Sequence, residues 1–166
     1  MKKVAYCPFN DVETANLALF NINKFHRGHI FSSGFDKRVR MHNGKTAVLK
    51  DVSYKQQIYV FGHGAPKSDT IEDCSGNSIT IEELAYRLLY DGMNPMTRHL
   101  KLHSCSGGVG GGQSMAAKLK IALVGIGYMG ITVYGYTEDL STSTSGLFGF
   151  KRTVSGRRAK NARVQF

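Results

Sequence analysis

Cysteine is scarce in this chain: 166 residues hold only Cys7, Cys74 and Cys105. An odd number cannot pair off internally, and no C-x-x-C spacing links them. Reduced thiols in a cytosol-like compartment, with no metal site, are the expectation. A long apolar run is also missing. The longest uncharged stretch, Ile121 to Thr137, is 17 residues with four glycines, short of the roughly 20 a bilayer requires. The start, Met1-Lys2-Lys3, is basic, but Pro8, Asn10 and Asp11 interrupt the apolar run behind it, which argues against a secretory leader and a membrane span. Acid is absent after Asp139, whereas Lys151, Arg152, Arg157, Arg158, Lys160 and Arg163 crowd the end. With 22 Lys and Arg against 12 acids and a net charge of +10, a polyanion is a natural partner. No zinc finger, aromatic RNA-binding signature or helix-turn-helix accompanies the charge, so nucleic acid ranks behind other polyanions. No internal repeat is visible.

What is present reads as one domain over residues 1–166, long enough to bury a core. A short strand is expected from Lys3 to Cys7. Asp11 then caps a helix with Val12, Ala15, Leu19 and Ile22 at helical spacing, ended by Gly28. Ser33-Gly34 and Asn43-Gly44, between β-prone pieces, predict hairpins. Gln57 to Gly62 reads as a strand and Ala65 to Ser78 as a polar loop. Thr80-Ile81-Glu82-Glu83 is a capping box opening a helix whose stripe is Ile81, Leu84, Ala85, Leu88 and Leu89. Gly92 and Pro95 stop it. A strand through Leu100 follows, then a helix marked by Met115, Ala116, Leu119 and Leu123, and a strand from Ile131 to Tyr136. From Leu140 the chain turns to Ser, Thr, Gly and cations, with Phe148, Phe150 and Val154 expected to anchor a hairpin. Strands and helices alternating over residues 57–136 imply a mostly parallel sheet flanked by helices, with ligands outside the carboxyl ends of the strands.

Two of those strand ends carry chemistry. In Leu100-Lys101-Leu102-His103-Ser104-Cys105-Ser106-Gly107-Gly108 an alternating strand runs into a thiol and then a glycine turn. Such a nucleophile is held rigidly behind and left open in front. In Ile58-Tyr59-Val60-Phe61-Gly62-His63-Gly64 a second apolar strand ends in His-Gly. Neighbouring strands would bring His63 and Cys105 to one edge of the sheet, where an imidazole activates a thiol or protonates a leaving group. Asp36 and Asp51 are upstream carboxylates able to orient His63, and the sequence favours neither. Cys7 and Cys74 are expected as core filler. His26, His29, His42 and His99 are expected as surface or packing residues. By strand alternation His103 faces the same cleft as Cys105.

The two blocks, apolar strand then His63-Gly64 and apolar strand then Ser104-Cys105, resemble the signature of the caspase-like clan of cysteine peptidases. That clan takes in caspases, clostripain, gingipains, legumain and the self-cleaving cysteine protease domains of RTX and large clostridial toxins. The 41 residues between His63 and Cys105, with one helix among them, suit that arrangement, and the likeness covers about residues 57–136. The resemblance implies a caspase-like three-layer sandwich with a basic hairpin or flap over residues 140–166. It implies a cysteine endopeptidase of bacterial toxin or effector type, cutting a polypeptide such as its own chain or the chain it was excised from, and delivered into a host or target cell without a classical signal peptide. Cys105 and His63 would be the catalytic dyad, with backbone N–H groups of Gly64 and Cys105 as the oxyanion hole. His103 and Ser104 would line the substrate subsite. Since toxin-type members are switched on by inositol hexakisphosphate, Lys151, Arg152, Arg157, Arg158 and Lys160 would hold that activator.

Two rivals come from the same residues. Gly107 to Ser114 fits a phosphate-loop pattern between strand and helix, but Gln113 replaces the lysine and no apolar strand ends in the required Asp. A non-enzymatic polyanion or nucleic-acid binder using the basic tail is the third class.

Overall fold

A computed structural model of the chain describes residues 2–27, 35–144 and 151–166, with the side chains of residues 21, 23–27, 35, 37, 141–144, 151 and 152 outside that description. The fold is mixed α/β around a six-stranded sheet. Its strands are β1 (Lys3–Cys7), β2 (Phe35–Met41), β3 (Gln57–Phe61), β6 (His99–His103), β7 (Thr132–Tyr136) and β10 (Arg163–Gln165). Across the sheet the order is β10-β7-β6-β3-β1-β2. Every neighbouring pair is parallel except β10 on β7. Two hairpins lie outside it: β4 (Thr70–Glu72) with β5 (Ser78–Thr80), and β8 (Leu140–Thr144) with β9 (Lys151–Thr153).

The period-2 pattern of each strand sends alternate residues to opposite faces. Val4, Tyr6, Ile58, Val60, Leu100, Leu102 and Val133 form the larger core, packed under α2 (Ile81–Tyr90) and α3 (Met115–Gly125). Fully burying an aliphatic side chain of this kind contributes about 1.5–3 kcal/mol. The opposite face carries Ala5, Phe61, Tyr59 and Val39, covered by Ala18 and Ile22 of α1 (Val12–Arg27). Helices thus flank both faces of a mostly parallel sheet.

Several expectations shift. Asp11 does cap α1, accepting the Thr14 N–H at 2.7 Å, but the buried stripe is Thr14, Ala18 and Ile22, and Val12 is 64% exposed. Thr80 caps α2 by accepting the Glu83 N–H at 3.0 Å. The Glu83 carboxylate, however, turns to Arg87 at 2.6 Å instead of closing the box, and Leu89 faces solvent. β2 is a parallel partner of β1 rather than half of a hairpin. Asn43-Gly44 forms a local turn in which Asn43 Oδ1 accepts the Lys45 and Thr46 N–H groups, both at 2.9 Å. The expected polar loop 65–78 holds the β4–β5 hairpin, its turn fixed by Asp73 accepting from Ser75 and Asn77. Ser33-Gly34, Gly28, His29, Phe148 and Phe150, and the side chain of His26, lie outside the described residues. Among the described residues no helix is long and apolar enough to cross a membrane.

Candidate active site

Strand order makes one place special. The chain lays β2 on one side of β1 and β3 on the other, so the topological switch point lies between β1 and β3. Ligands in open parallel sheets bind beyond the carboxyl ends of the strands at such a point. His63 follows β3 at that edge. In the pairing of β3 with β6, Phe61 matches His103, and His63 and Cys105 each lie two residues farther on. Cys105 is half-buried and its thiol is free of any disulfide, whereas His63 is exposed.

The sequence missed a thiol within reach of the imidazole. Cys74 Sγ lies 3.4 Å from His63 Nε2, and Cys74 is exposed rather than core filler. The β4 strand puts it there. The His63 N–H donates to Glu72 O at 2.7 Å and the Glu72 N–H returns to His63 O at 3.1 Å. The Cys74 N–H donates to Thr14 Oγ1 at 2.8 Å. That hydroxyl in turn donates to Asp11 Oδ2 at 2.5 Å, and these hydrogen bonds hold the Asp11 carboxyl below its ordinary pKa range. The α1 cap therefore anchors the backbone beside His63. The available signal was Ser75-Gly76-Asn77, a turn between two β-prone triplets. Cys7 does behave as core: buried, donating to Phe9 O at 3.4 Å, its thiol pushed up to about 12 by burial.

The turn behind Cys105 is built by close backbone contact. A Cβ on Gly108 would lie 2.7 Å from Val164 Cγ2 and 2.9 Å from the Gly135 carbonyl carbon, and one on Gly135 only 2.7 Å from Gly108 N. Two backbones meet there with room for hydrogen alone. The Gly108 N–H donates to Tyr136 O at 2.7 Å, seating the turn on the end of β7. Gly64 also sits tightly: a Cβ would meet Ser104 Cβ at 3.1 Å and Met115 Sδ at 3.0 Å. The Gly64 backbone thus lies against the residue preceding Cys105.

Other expected residues fall elsewhere. His103 is 9% exposed, its ring 4.5 Å from Phe61 and 5.7 Å from Tyr136 in an edge-on contact. It packs within an aromatic cluster instead of opening onto a cleft. Ser104 is 2% exposed, and its Oγ has no hydrogen-bond partner among the described residues. With a Gly107 Cβ position only 2.7 Å away, that side chain is packed against the turn rather than exposed. Asp36 and Asp51 both turn to Arg40, at 3.6 and 2.8 Å, on the far side of β1 from β3. Neither orients His63. Ser114 is fully buried and accepts the Ala117 N–H as the cap of α3. A phosphate loop would need that hydroxyl free for a metal.

In the tail, β8 pairs with β9 as the expected hairpin, while β10 joins the main sheet. Arg157 Nη1 lies 2.5 Å from Glu138 Oε1. The cation thus has an acid partner, placed just before the acid-free stretch. The Ser155 hydroxyl also donates to Glu138, and hydrogen bonding, from Ser155 first, holds that carboxyl below its usual range. Arg158 and Lys160 are exposed, and the side chains of Lys151 and Arg152 lie outside the described residues. Among the described residues no group of three or more His, Cys, Asp or Glu is disposed to hold a metal. No protein-family model matches the sequence, and no curated protein matches it.

Proposed function

We propose that the chain is a cysteine endopeptidase of caspase-like type in which Cys105 is the nucleophile and His63 its acid–base partner. The observation that carries this reading is the parallel register of β3 and β6, in which Phe61 pairs with His103 and each chain runs two residues on to His63 or Cys105. In the proposed reaction the Cys105 thiolate attacks the scissile carbonyl, and the oxyanion that forms is met by the Gly64 and Cys105 N–H groups. A donor of this kind lowers the barrier by about 2.7–4 kcal/mol. Imidazolium His63 protonates the departing amine, leaving a thioester. Neutral His63 then takes a proton from water, which hydrolyses the thioester and frees the thiol. The toxin-type likeness adds self-cleavage, and activation by inositol hexakisphosphate acting on the basic tail. Arg157 is paired to Glu138, so that activator would compete with an acid for this cation.

A second reading rests on one distance. Cys74, at 3.4 Å from His63 Nε2, is the thiol in hydrogen-bond range, and it would serve as nucleophile in place of Cys105.

A peptidyl acyloxymethyl ketone, which alkylates nucleophilic thiols, separates these. With peptide-level mass spectrometry, label is expected on Cys105 in the wild type, lost in Cys105→Ala and kept in Cys74→Ala. Label and peptide cleavage that survive in Cys105→Ala but vanish in Cys74→Ala would move the nucleophile to Cys74. Cleavage surviving in both variants would overturn the peptidase assignment. A parallel comparison of intact masses reports self-cleavage. Repeating the labelling with inositol hexakisphosphate at low ionic strength, where such binding is strongest, tests the activator.

A further inference from the structure

Cys105 is followed by a residue in an unusual conformation. Ser106 has φ 51°, one of two non-glycine residues with positive φ among those described, the other being Lys67. For a residue with a Cβ this left-handed region costs about 1–2 kcal/mol, and such strain gathers at functional sites. Glycine would adopt it freely, and glycine fills the next two positions. What serine adds is a hydroxyl: Ser106 is 8% exposed, and its Oγ donates to Asp139 Oδ1 at 2.7 Å.

Asp139 is held from its other side. It lies between β7 and β8, and its carbonyl accepts the Val154 N–H at 2.9 Å, just past β9. Beside it, Glu138 pairs with Arg157 and accepts from Ser155. The β8–β9 hairpin thus grips the chain at Asp139, and the Asp139 carboxylate grips the residue adjoining the thiol.

We propose that Ser106 and Asp139 are positioning residues for Cys105, fixing the turn so that the thiol is presented outward and tying that presentation to the C-terminal hairpin. The inference rests on the reading of Cys105 as nucleophile. Asp139 accepts and Ser106 donates, and neither touches the reacting atoms. Their contribution is to hold a strained turn in one geometry. Small displacements of a reacting group are expensive: about 1 Å can cost 100-fold in rate.

The test measures iodoacetamide alkylation of Cys105 by peptide-level mass spectrometry, in parallel with thermal stability. Ser106→Gly removes the hydroxyl and also the left-handed strain. It is expected to leave the melting temperature unchanged or raised while slowing Cys105 alkylation about tenfold. A part confined to fold stability predicts the opposite, no slowing in a variant that melts no lower. Asp139→Ala is expected to slow alkylation likewise, and Asp139→Asn, which keeps an accepting Oδ1, to restore most of the rate. In any cleavage assay the same variants lower kcat and leave KM in place. Unaltered Cys105 alkylation in Ser106→Gly and Asp139→Ala would overturn the proposal. Because alkylation is read at Cys105 directly, that result is distinct from cleavage persisting in Cys105→Ala, which overturns the peptidase reading instead.

Discussion

Two histidines follow the carboxyl ends of neighbouring parts of the sheet, one past β2 and one past β3, and they do opposite things. His42 follows β2. Its N–H donates to Cys7 O at 2.9 Å, and its Nδ1 lies 3.0 and 3.1 Å from the carboxylate oxygens of Asp91. Asp91 is fully buried and also accepts the Tyr6 hydroxyl at 2.7 Å. Burial first, then the Asp91 charge, pushes the Tyr6 phenol far above its ordinary range. His63 follows β3, is exposed, and has a thiol rather than a carboxylate at its ring nitrogen. A buried carboxylate clamps the first imidazole into the fold, and the lack of one leaves the second exposed to solvent. What separates a structural histidine from a candidate catalytic one is the burial of its partner, not the strand end it occupies.

Substitution should break this symmetry in two directions. The largest effect falls on activity at the open site. Cys105→Ala and His63→Ala are each expected to lower peptide cleavage by several orders of magnitude, since nucleophile and base act as one unit. Both should melt close to the wild type, because neither side chain is deeply packed. At the clamped site the pattern reverses. Asp91→Ala strips the acceptor from Tyr6 and His42 at once, and each buried polar group left without its partner costs about 1–3 kcal/mol. Tyr6→Phe loses one hydrogen bond, costing about 1–3 kcal/mol, since the buried carboxylate loses a donor. Urea unfolding of all four variants beside cleavage rates checks the crossover. A stability loss in His63→Ala as large as that of Asp91→Ala would erase the distinction.

A smaller effect sharpens the open side. Cys74→Ser keeps a polar group beside His63 Nε2 while removing the thiol. If Cys105 is the nucleophile, cleavage should change by no more than a few-fold, whereas a Cys74 nucleophile predicts loss comparable to His63→Ala. Cleavage kinetics of the single variant decide.

The sheet, its helices and the two strand ends that carry His63 and Cys105 were legible because period-2 and period-3.6 patterns are local, and because a strand breaking into small residues is a local event. The stripe of α1 was misread by rotation: Ala15 and Leu19 have helical spacing, yet the helix buries Thr14, whose hydroxyl is needed by Cys74. Cys74 itself was out of reach. It meets His63 only because β4 folds back along the chain at Glu72. Asp91 and His42 are 49 residues apart and Ser106 and Asp139 are 33 apart. No periodicity encodes such pairs. His103 was misjudged because strand alternation fixes a face but not what covers it, and aromatic rings of β3 and β7 close around it.

The smallest expected effect concerns a buried lysine on β6, the strand that leads to Cys105. Lys101 is 6% exposed, and its Nζ donates to Gln57 Oε1 at 3.0 Å and to the Tyr59 hydroxyl at 2.8 Å. Burial, then the charges of Arg163 and Lys3, push its ammonium down to about 8, against about 10.4 in an unfolded chain. Between those values the unfolded state binds more protons than the folded one, so this group makes stability rise with pH across the window. The buried Cys7 thiol works the other way. Raised to about 12, it stays protonated in the fold while the unfolded thiol ionises above about pH 8.5, and stability falls there. Comparing wild type with Lys101→Met cancels the cysteine, which both proteins share. The expected result is that wild type gains stability relative to Lys101→Met between pH 7.5 and pH 9.5, read as a difference of urea midpoints. A difference that stays flat across that window would mean that Lys101 keeps its proton in the fold and that the sheet face behind Cys105 is wetter than its packing indicates.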